Sequence, residues 1–322
     1  MELAETGPGL DRCFYGYRLR AGGLLDFLPA WPESAGTPDL HLVEGGAPLE
    51  LETPVLSHPH LSIGTDGTVL LRLDGIGRVL IRPDGEIRLD LIEDARRADV
   101  EASLVSVVAG AVLHQRRSLP LHASCVLIDG AAVAITAPSG TGKSTLAAAL
   151  VAAGHRLLTD DICVIRFAED GTAMALPGVN RLRLYEDSAE AVGQGSKPAP
   201  GADAGGDKRG RDSPMTDHRP QPLAAILRLE RGATASLTRL TGLSAINPMQ
   251  DIIYRAPLGV RLGRGPALFR ELTKLAGKAP IYRLTRREGL ASLTELAQLA
   301  VGSIRSNDRE AGAEYISRAP CG

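Results

Sequence analysis

The chain has 322 residues, and its 36 Lys and Arg against 38 Asp and Glu give a formal net charge of −2. Hydrophobic residues make up 44% and charged residues 23%, which is typical of a globular chain and excludes disorder throughout. The near-neutral charge argues against a nucleic-acid-binding protein, which usually carries a basic stripe. The sequence has no apolar run of the roughly 18 residues that a membrane helix needs, and its acidic start lacks the apolar centre of a secretion signal. Its four cysteines form no CxxC pair, which favours a reducing, cytoplasmic location.

Residues 1–93 are predicted to form a β-rich domain. Between Gly67 and Leu91, the turn dipeptides Asp74-Gly75 and Asp84-Gly85 separate runs in which apolar and polar residues alternate, a pattern typical of a β-meander. Residues 39–43 and 49–51 are candidates for further strands. We expect this domain to serve recognition or oligomerisation, or only to cover one face of a neighbouring sheet.

A second domain is predicted over residues 94–305. It begins with a helix over residues 94–117, where apolar residues recur at helical spacing. Short apolar runs then predict buried strands at 121–128, 131–137 and 162–167 around a helix at 145–153, which makes a strand–loop–helix–strand unit on a sheet with parallel strands. Residues 156–159 are expected to lie in the connection that leads from this helix to the two aspartates. Farther along, we expect strands at 224–230 and 281–284 and helices at 243–254, 267–277 and 289–304.

Residues 193–222 interrupt this pattern. Thirteen of these thirty residues are Gly, Pro or Ser, and none is Leu, Ile, Val or aromatic. Such a segment cannot bury enough apolar surface to order itself, so we predict a mobile loop inside the second domain. Residues 306–322 are predicted to be a frayed tail.

The most specific motif is the run APSGTGKS at residues 137–144. It matches the phosphate-loop pattern GxxxxGK[ST], except that Ala137 replaces the first glycine, and it lies between a predicted strand and a predicted helix. Its glycines let successive backbone N–H groups point at phosphate oxygens, Lys143 can reach the β- and γ-phosphates, and Ser144 offers a hydroxyl to Mg²⁺. The sequence therefore predicts ATP and Mg²⁺ as cofactors, bound by Pro138, Ser139, Gly140, Thr141, Gly142, Lys143, Ser144 and Thr145.

Two further features can supply chemistry beside this loop. Asp160 and Asp161 end the connection from the loop helix to the next strand, and two adjacent carboxylates can divide the work of holding Mg²⁺ and accepting a proton. Ser144 and Asp161 are the candidate metal ligands, while the sequence leaves open which aspartate is the base. His122 precedes a strand and can orient a carboxylate or stabilise charge. Each feature also has a purely structural explanation. Asp160 and Asp161 would then be a turn that caps a strand, and His122 would be a polar residue at the start of a strand.

Residues 121–165 resemble the catalytic core of HPr kinase/phosphorylase, with its upstream histidine, SGxGKS loop and GHRLxxDD segment. The chain also resembles the shorter HPr-kinase-like proteins of lasso-peptide gene clusters, which have a divergent β-rich N-terminal region and a segment like PGVNRLRL, here residues 177–184. The resemblance implies an α/β fold: a phosphate-loop kinase core of HPr-kinase type with a small N-terminal β-rich domain. It also implies a homo-oligomer and the catalytic residues His122, Lys143, Asp160 and Asp161.

The resemblance implies transfer of the γ-phosphate of ATP to a serine hydroxyl, on a ribosomally made, lasso-type precursor peptide. The alternatives are a serine kinase for an HPr-like carrier protein and an ATP-binding switch that is no kinase. HPr kinases carry an EIRG segment whose Glu binds metal, whereas residues 181–186 read RLRLYE, so that Glu is absent or displaced to Glu186. Arg181 and Arg183 can clamp a phosphate or a substrate carboxylate, or they line the outer face of a strand. Neither nucleic acid nor a membrane is expected as a partner.

Overall fold

The protein is mixed α/β, with two large sheets and a few helices. The computed structural model describes residues 11–32, 36–138, 140–179, 181–185, 208–212, 219–249, 251–287 and 293–304. None of the helices in these ranges has both the length and the hydropathy needed to cross a membrane.

The strands come in the following order along the chain: β1 (Asp11–Phe14), β2 (Tyr17–Arg20), β3 (Leu40–Glu44), β4 (Pro54–His58), β5 (Leu61–Gly64), β6 (Val69–Leu73), β7 (Gly77–Ile81), β8 (Glu86–Leu91), β9 (Leu119–Leu121), β10 (Ala123–Ile128), β11 (Ala131–Thr136), β12 (Arg156–Thr159), β13 (Cys163–Phe167), β14 (Ala173–Ala175), β15 (Arg181–Tyr185), β16 (Lys208–Asp212), β17 (Gln221–Arg231), β18 (Ser236–Leu240) and β19 (Ile281–Arg286). The helices are α1 (Arg97–Ser103), a π-helical segment (Leu104–Val108), α2 (Ala109–Gln115), α3 (Lys143–Ala152), α4 (Leu243–Ile246), a 3₁₀ turn (Asn247–Met249), α5 (Ala256–Arg261), α6 (Gly265–Ala276) and α7 (293–304).

The N-terminal region forms an eight-stranded sheet in the order β1-β2-β3-β8-β7-β6-β5-β4. The predicted meander is confirmed as β6, β7 and β8, and both turn dipeptides carry their glycine at positive φ. Of the two other candidates, residues 40–44 form β3, whereas residues 49–51 lie in no strand, with Leu49 largely exposed. Strands β1, β2, β4 and β5 were not predicted.

One hydrophobic core joins this sheet to the second region. The helix predicted over residues 94–117 is present as α1, the π-helical segment and α2. Its apolar face packs with buried residues of the N-terminal sheet and also with Ile162, Val164 and Leu176 of the second region. The boundary predicted at residue 93 therefore separates two sheets but not two hydrophobic cores.

The second sheet has nine strands and is mixed rather than parallel. Strand β10 pairs antiparallel with both β11 and β12, whereas β11 and β17, and β17 and β19, are parallel pairs. Because β10 runs against both of its neighbours, β11 and β12 point the same way. The carboxyl ends of β11, β12, β17 and β19 therefore meet the start of β10 at one edge of the sheet, which we call the carboxyl edge.

Helices cover both faces of this sheet, and one of them is shorter than predicted. Helix α3 packs on one face and α6 on the other. The helix predicted over residues 243–254 ends in the 3₁₀ turn at Met249, because Pro248 cannot donate a backbone hydrogen bond. Farther along, Ile253 forms an isolated β-bridge with Leu121.

Two pieces of the loop predicted at residues 193–222 are strands. Strand β16 pairs antiparallel with β15, and β17 begins at Gln221. Two strands can satisfy each other's backbone hydrogen bonds without burying large side chains. The amino-acid composition of the segment therefore did not predict these strands. Residues 193–207 and 213–218 of the loop, Glu186 and the tail at 306–322 lie outside the described residues.

A buried histidine predicts a pH-dependent stability. His114 in α2 is 1% exposed, and its Nε2 lies 2.8 Å from the carbonyl oxygen of Tyr254. Burial lowers the pKa of His114 below its ordinary value of 6.5, against the opposing effect of that hydrogen bond. The unfolded chain therefore takes up a proton near pH 6.5 that the folded protein takes up only at lower pH, so stability falls as the pH drops below about 6.5.

Urea denaturation at about pH 7.5 and about pH 5.5 measures this effect. We expect a lower midpoint at the acidic pH, and a smaller difference between the two pH values in His114→Gln, whose amide can still donate to Tyr254. An identical pH dependence in the variant and the wild type would contradict the assignment to His114.

Candidate active site

The glycine-rich loop of residues 137–144 leaves β11 and enters α3 at the carboxyl edge. Gly140 and Gly142 have positive φ angles of 77° and 104°, which glycine adopts without strain. A Cβ at Gly142 would also lie 2.4 Å from Nη1 of Arg286, so a larger residue there would displace the end of that arginine. The motif therefore has the strand before it and the helix after it that the sequence predicted.

Asp160 is the buried centre of the site. It follows β12, is 3% exposed, and accepts hydrogen bonds at Oδ1 from Ser124 Oγ of β10 and, at 3.2 Å, from Ser144 Oγ of α3. Lys143 Nζ lies 4.0 Å from the same oxygen. The sequence had paired Ser144 with Asp161, but the residue that Ser144 contacts is Asp160. Side chains of two elements, β10 and α3, thus converge on one carboxylate at the end of β12.

Asp161 lies beside His122 at the more open side of the site. Its φ of 70° is unusual for a residue other than glycine. Its Oδ1 lies 3.3 Å from Nδ1 of His122, and its carbonyl oxygen lies 3.1 Å from the same nitrogen. The two side chains are each about one-third exposed, at 36% and 34%. Asp161 is therefore open to an incoming group, whereas Asp160 is enclosed.

The charge state of His122 follows from its surroundings. Burial, followed by the positive charge of Lys143, lowers the pKa of His122 below its ordinary value, although Asp161 acts in the opposite direction. The imidazole is therefore neutral at neutral pH. Since both close partners of Nδ1 are oxygens, Nδ1 carries the proton and donates it to Asp161.

The chain behind His122 holds the ring in place. The backbone N–H of His122 donates to the carbonyl oxygen of Ile252 at 2.6 Å, and the ring centroid lies 5.9 Å from that of Tyr254. The segment that carries these two residues is tied to β17 by Arg228, whose guanidinium contacts both carboxylate oxygens of Asp251 at 2.6 and 2.7 Å. His122 is thus oriented by Asp161 and by the segment of residues 251–254.

Sequence reasoning missed two arginines beside the loop. Arg231 and Arg286 end β17 and β19 and are register partners. Arg286 Nη1 donates to the carbonyl oxygen of Thr141 at 3.0 Å, and Arg231 Nη2 donates to that of Gly140 at 3.4 Å. In the sequence, these arginines are marked only by their position at the end of an apolar run. That position points to the glycine-rich loop only when β17 and β19 are known to run parallel to β11.

The structure brings most of the predicted site residues together. His122, Lys143, Ser144, Asp160 and Asp161 lie at the carboxyl edge, with Pro138, Gly140, Thr141, Gly142 and Thr145 in the loop and the first turn of α3. Ser124 joins them, although the sequence did not single it out. Arg181 and Arg183 lie in β15, which contacts α3. Ser139 lies outside the described residues.

The oxygen atoms near Lys143 suit Mg²⁺. Within the described ranges no group of three or more His, Cys, Asp and Glu side chains could hold a metal ion. Mg²⁺ does not need one, because it usually keeps several waters and binds through one or two carboxylates together with substrate phosphates. Ser144 Oγ and the carboxylate of Asp160 offer that kind of partial site, so the residues present fit the ion.

Of the comparisons with known proteins, only the one with solved structures gives matches. No protein-family model matches the chain, and neither does any curated protein. Among solved structures, the chain is similar to the Hpr(Ser) kinase/phosphatase from Coxiella burnetii, with a TM-score of 0.32 and 14% identity, over 60% of this chain and 98% of that one. A TM-score this low has no weight for the fold or the function.

Proposed function

We propose that the protein is an ATP-dependent kinase that transfers the γ-phosphoryl group of ATP to a serine hydroxyl. The observation that supports this most is the meeting of Lys143, Ser144, Asp160 and the Asp161–His122 pair at one sheet edge, beside a glycine-rich loop that leads into a helix. A nucleotide switch without transfer would need the loop but not a second, more open carboxylate that a histidine orients.

The loop and the start of α3 would hold the triphosphate. The loop N–H groups and the N-terminal end of a ten-residue helix favour negative charge. Lys143 is 9% exposed, so its ammonium group acts in a partly dry site where its interaction with phosphate is strong. Mg²⁺, when bound by Ser144 and Asp160, would neutralise charge on the β- and γ-phosphate oxygens.

Asp161 is the better placed of the two aspartates to accept the serine proton. The Oδ1 atom of Asp160 already accepts two hydroxyl hydrogen bonds and faces Lys143, whereas Asp161 is one-third exposed and bound only by His122 among the described side chains. As the serine oxygen bonds to the γ-phosphorus and the bond to ADP breaks, the serine proton moves to Asp161. Neutral His122 keeps that carboxylate oriented through Nδ1.

For the acceptor, we propose a serine on a small, ribosomally made precursor peptide of the lasso type. The support is the resemblance of residues 121–165 and 177–184, together with the missing EIRG glutamate, which weighs against an HPr-like carrier. The test is mass spectrometry of precursor peptides from neighbouring genes after incubation with the protein, ATP and Mg²⁺. The matched controls are peptides in which each serine is alanine.

The expected result is a phosphate on a serine of at least one peptide, which disappears in the alanine peptide and without Mg²⁺. If the protein binds ATP but releases phosphate neither to a peptide nor to water, the kinase proposal fails and the nucleotide switch replaces it.

Arg286→Gln is expected to weaken ATP binding. The arginine holds the outward carbonyl of Thr141 and adds positive charge beside the loop, and the loss of one hydrogen bond from a charged group costs about 1.5–3 kcal/mol. That corresponds to a dissociation constant about tenfold to a hundredfold higher, measured by titration with a fluorescent ATP analogue. The control is Arg287→Gln, because Arg287 pairs with Glu295 at 3.5 Å instead. An equal loss in both variants would show that only general positive charge matters.

A further inference from the structure

The β1–β2 turn of the N-terminal sheet reaches into the second region. Its two central residues, Tyr15 and Gly16, have φ angles of 51° and 83°, so both are in the left-handed region. Hairpin turns of this kind normally carry Asn, Asp or Gly at their exposed tip. Here the tip is a tyrosine that is 2% exposed. A buried aromatic residue at such a position is held there by its contacts with the rest of the fold.

Tyr15 contacts two separate elements. Its hydroxyl donates to the carbonyl oxygen of Val105, in the π-helical segment, at 2.9 Å. Its ring lies against the backbone of Gly178, where a Cβ would be 2.8 Å from Cδ1 of Tyr15 and 2.3 Å from Oγ1 of Thr159. The ring, Gly178 and Thr159 are therefore packed with no space for a side chain between them. A Cβ on Gly16 would likewise lie 2.5 Å from Cδ1 of Leu176.

The segment under the turn, residues 176–179, is hydrogen-bonded to the chain at the end of β12, where the acidic pair begins. The backbone N–H of Asp160 donates to the carbonyl oxygen of Val179 at 2.9 Å, and that of Gly178 donates to Leu158 at 3.3 Å. The end of β12 is thus hydrogen-bonded to a segment that Tyr15 contacts at Gly178. Burial, with added contributions from the charges of Asp161 and Asp160, raises the pKa of Tyr15 well above its ordinary value, which is consistent with this proximity.

We propose that Tyr15 is a positioning residue for the acidic pair. Its ring presses residues 176–179 against the end of β12 and so sets the positions of the Asp160 and Asp161 carboxylates relative to the glycine-rich loop. The expected effect of Tyr15 on phosphoryl transfer rests on the proposed kinase function, whereas its packing against residues 176–179 does not. If so, the N-terminal sheet contributes to the active site and does more than cover one face of the second sheet.

The test compares Tyr15→Leu with Tyr17→Leu. Tyr17 lies on the same hairpin and also contacts the second region, with its hydroxyl 2.8 Å from Ser118 Oγ and its ring below the guanidinium of Arg166. None of its described contacts involves the acidic pair. Hydrogen–deuterium exchange of the segment 158–162 reports on the bond from Asp160 to Val179, and phosphate release from MgATP reports on chemistry.

In Tyr15→Leu we expect amide exchange at 158–162 to rise by at least about tenfold. We also expect turnover to fall by at least about tenfold at saturating ATP, because a misplacement of about 1 Å can cost about a hundredfold, while the ATP dissociation constant stays within about twofold. Tyr15→Phe keeps the ring and should retain most of both properties, and Tyr17→Leu should change neither. If Tyr15→Leu does not fold, Tyr15→Met replaces it.

Unchanged exchange at 158–162 in the Tyr15 variant, or the same increase in Tyr17→Leu, overturns the inference whatever the activity. If instead exchange rises only in the Tyr15 variant but the wild type transfers phosphate neither to peptide nor to water, the positioning role stands and the proposed kinase function is the part that fails.

Discussion

Lys143→Ala is expected to abolish phosphoryl transfer while the protein stays folded. Lys143 begins α3, is 9% exposed and lies 4.0 Å from Asp160, so its charge acts on phosphates in a site with little water. The loss of one such electrostatic contact typically costs about 10²–10³ in rate. Asp160 keeps its hydrogen bonds from Ser124 and Ser144 in the variant, which limits the cost to stability. Transfer to a serine peptide and the circular dichroism spectrum measure the two effects.

The matched control for this variant is Lys274→Ala. Lys274 lies on α6, on the opposite face of the sheet, with its Nζ 4.1 Å from the ring centroid of Phe167. Its removal should leave the transfer rate within about twofold. A folded Lys143→Ala protein with full activity would show that the glycine-rich loop does not bind the triphosphate.

Short sequence motifs were enough to predict the parts of the fold that are determined by residues close together in the chain. The meander β6–β8 followed from two Asp-Gly turns with alternating runs, and the unit β11–loop–α3 followed from an apolar run, a glycine-rich loop and an alanine-rich helix. The candidate residues of the site were found in the same way, because His122, Lys143 and the acidic pair each belong to a short motif.

What sequence reasoning missed depends on contacts between distant residues. The antiparallel insertion of β10 between β11 and β12 decides which strand ends share an edge, and no local pattern encodes it. Arg286 becomes a neighbour of the loop only through the parallel pairing of β19 with β17. Tyr15 likewise reads as an ordinary turn residue until its packing on Gly178 is seen.

The same limit explains the one helix that was predicted too long. Residues 243–254 have helical spacing of apolar residues, but Pro248 removes a donor, and Ile253 pairs with Leu121 instead. This non-helical segment places Ile252 and Tyr254 beside His122. The pairing of Ile253 with Leu121 thus prevailed over a weak helical preference, in a segment that contacts the candidate active site.

The largest chemical effect is expected from the acidic pair, with different outcomes for its two members. Asp161→Asn keeps the shape of the side chain but cannot accept a proton, so transfer should fall by about 10²–10⁴ while ATP binds with near-normal affinity. Asp160→Asn should also lose transfer, but for a different reason: it removes a charged oxygen beside Ser144 and Lys143 that would hold Mg²⁺. In this variant Mg²⁺ should therefore raise the affinity for ATP less than it does in the wild type.

Two measurements separate these roles: transfer to a serine peptide, and the affinity for an ATP analogue with and without Mg²⁺. Asp170→Asn is the control, since Asp170 lies in an exposed turn where it accepts a hydrogen bond from the backbone of Thr172, and it should keep wild-type values. If Asp161→Asn also loses the effect of Mg²⁺ and Asp160→Asn keeps it, the two roles are exchanged. If both variants transfer phosphate at the wild-type rate, neither carboxylate accepts the serine proton or holds Mg²⁺, and the proposed mechanism of the acidic pair fails.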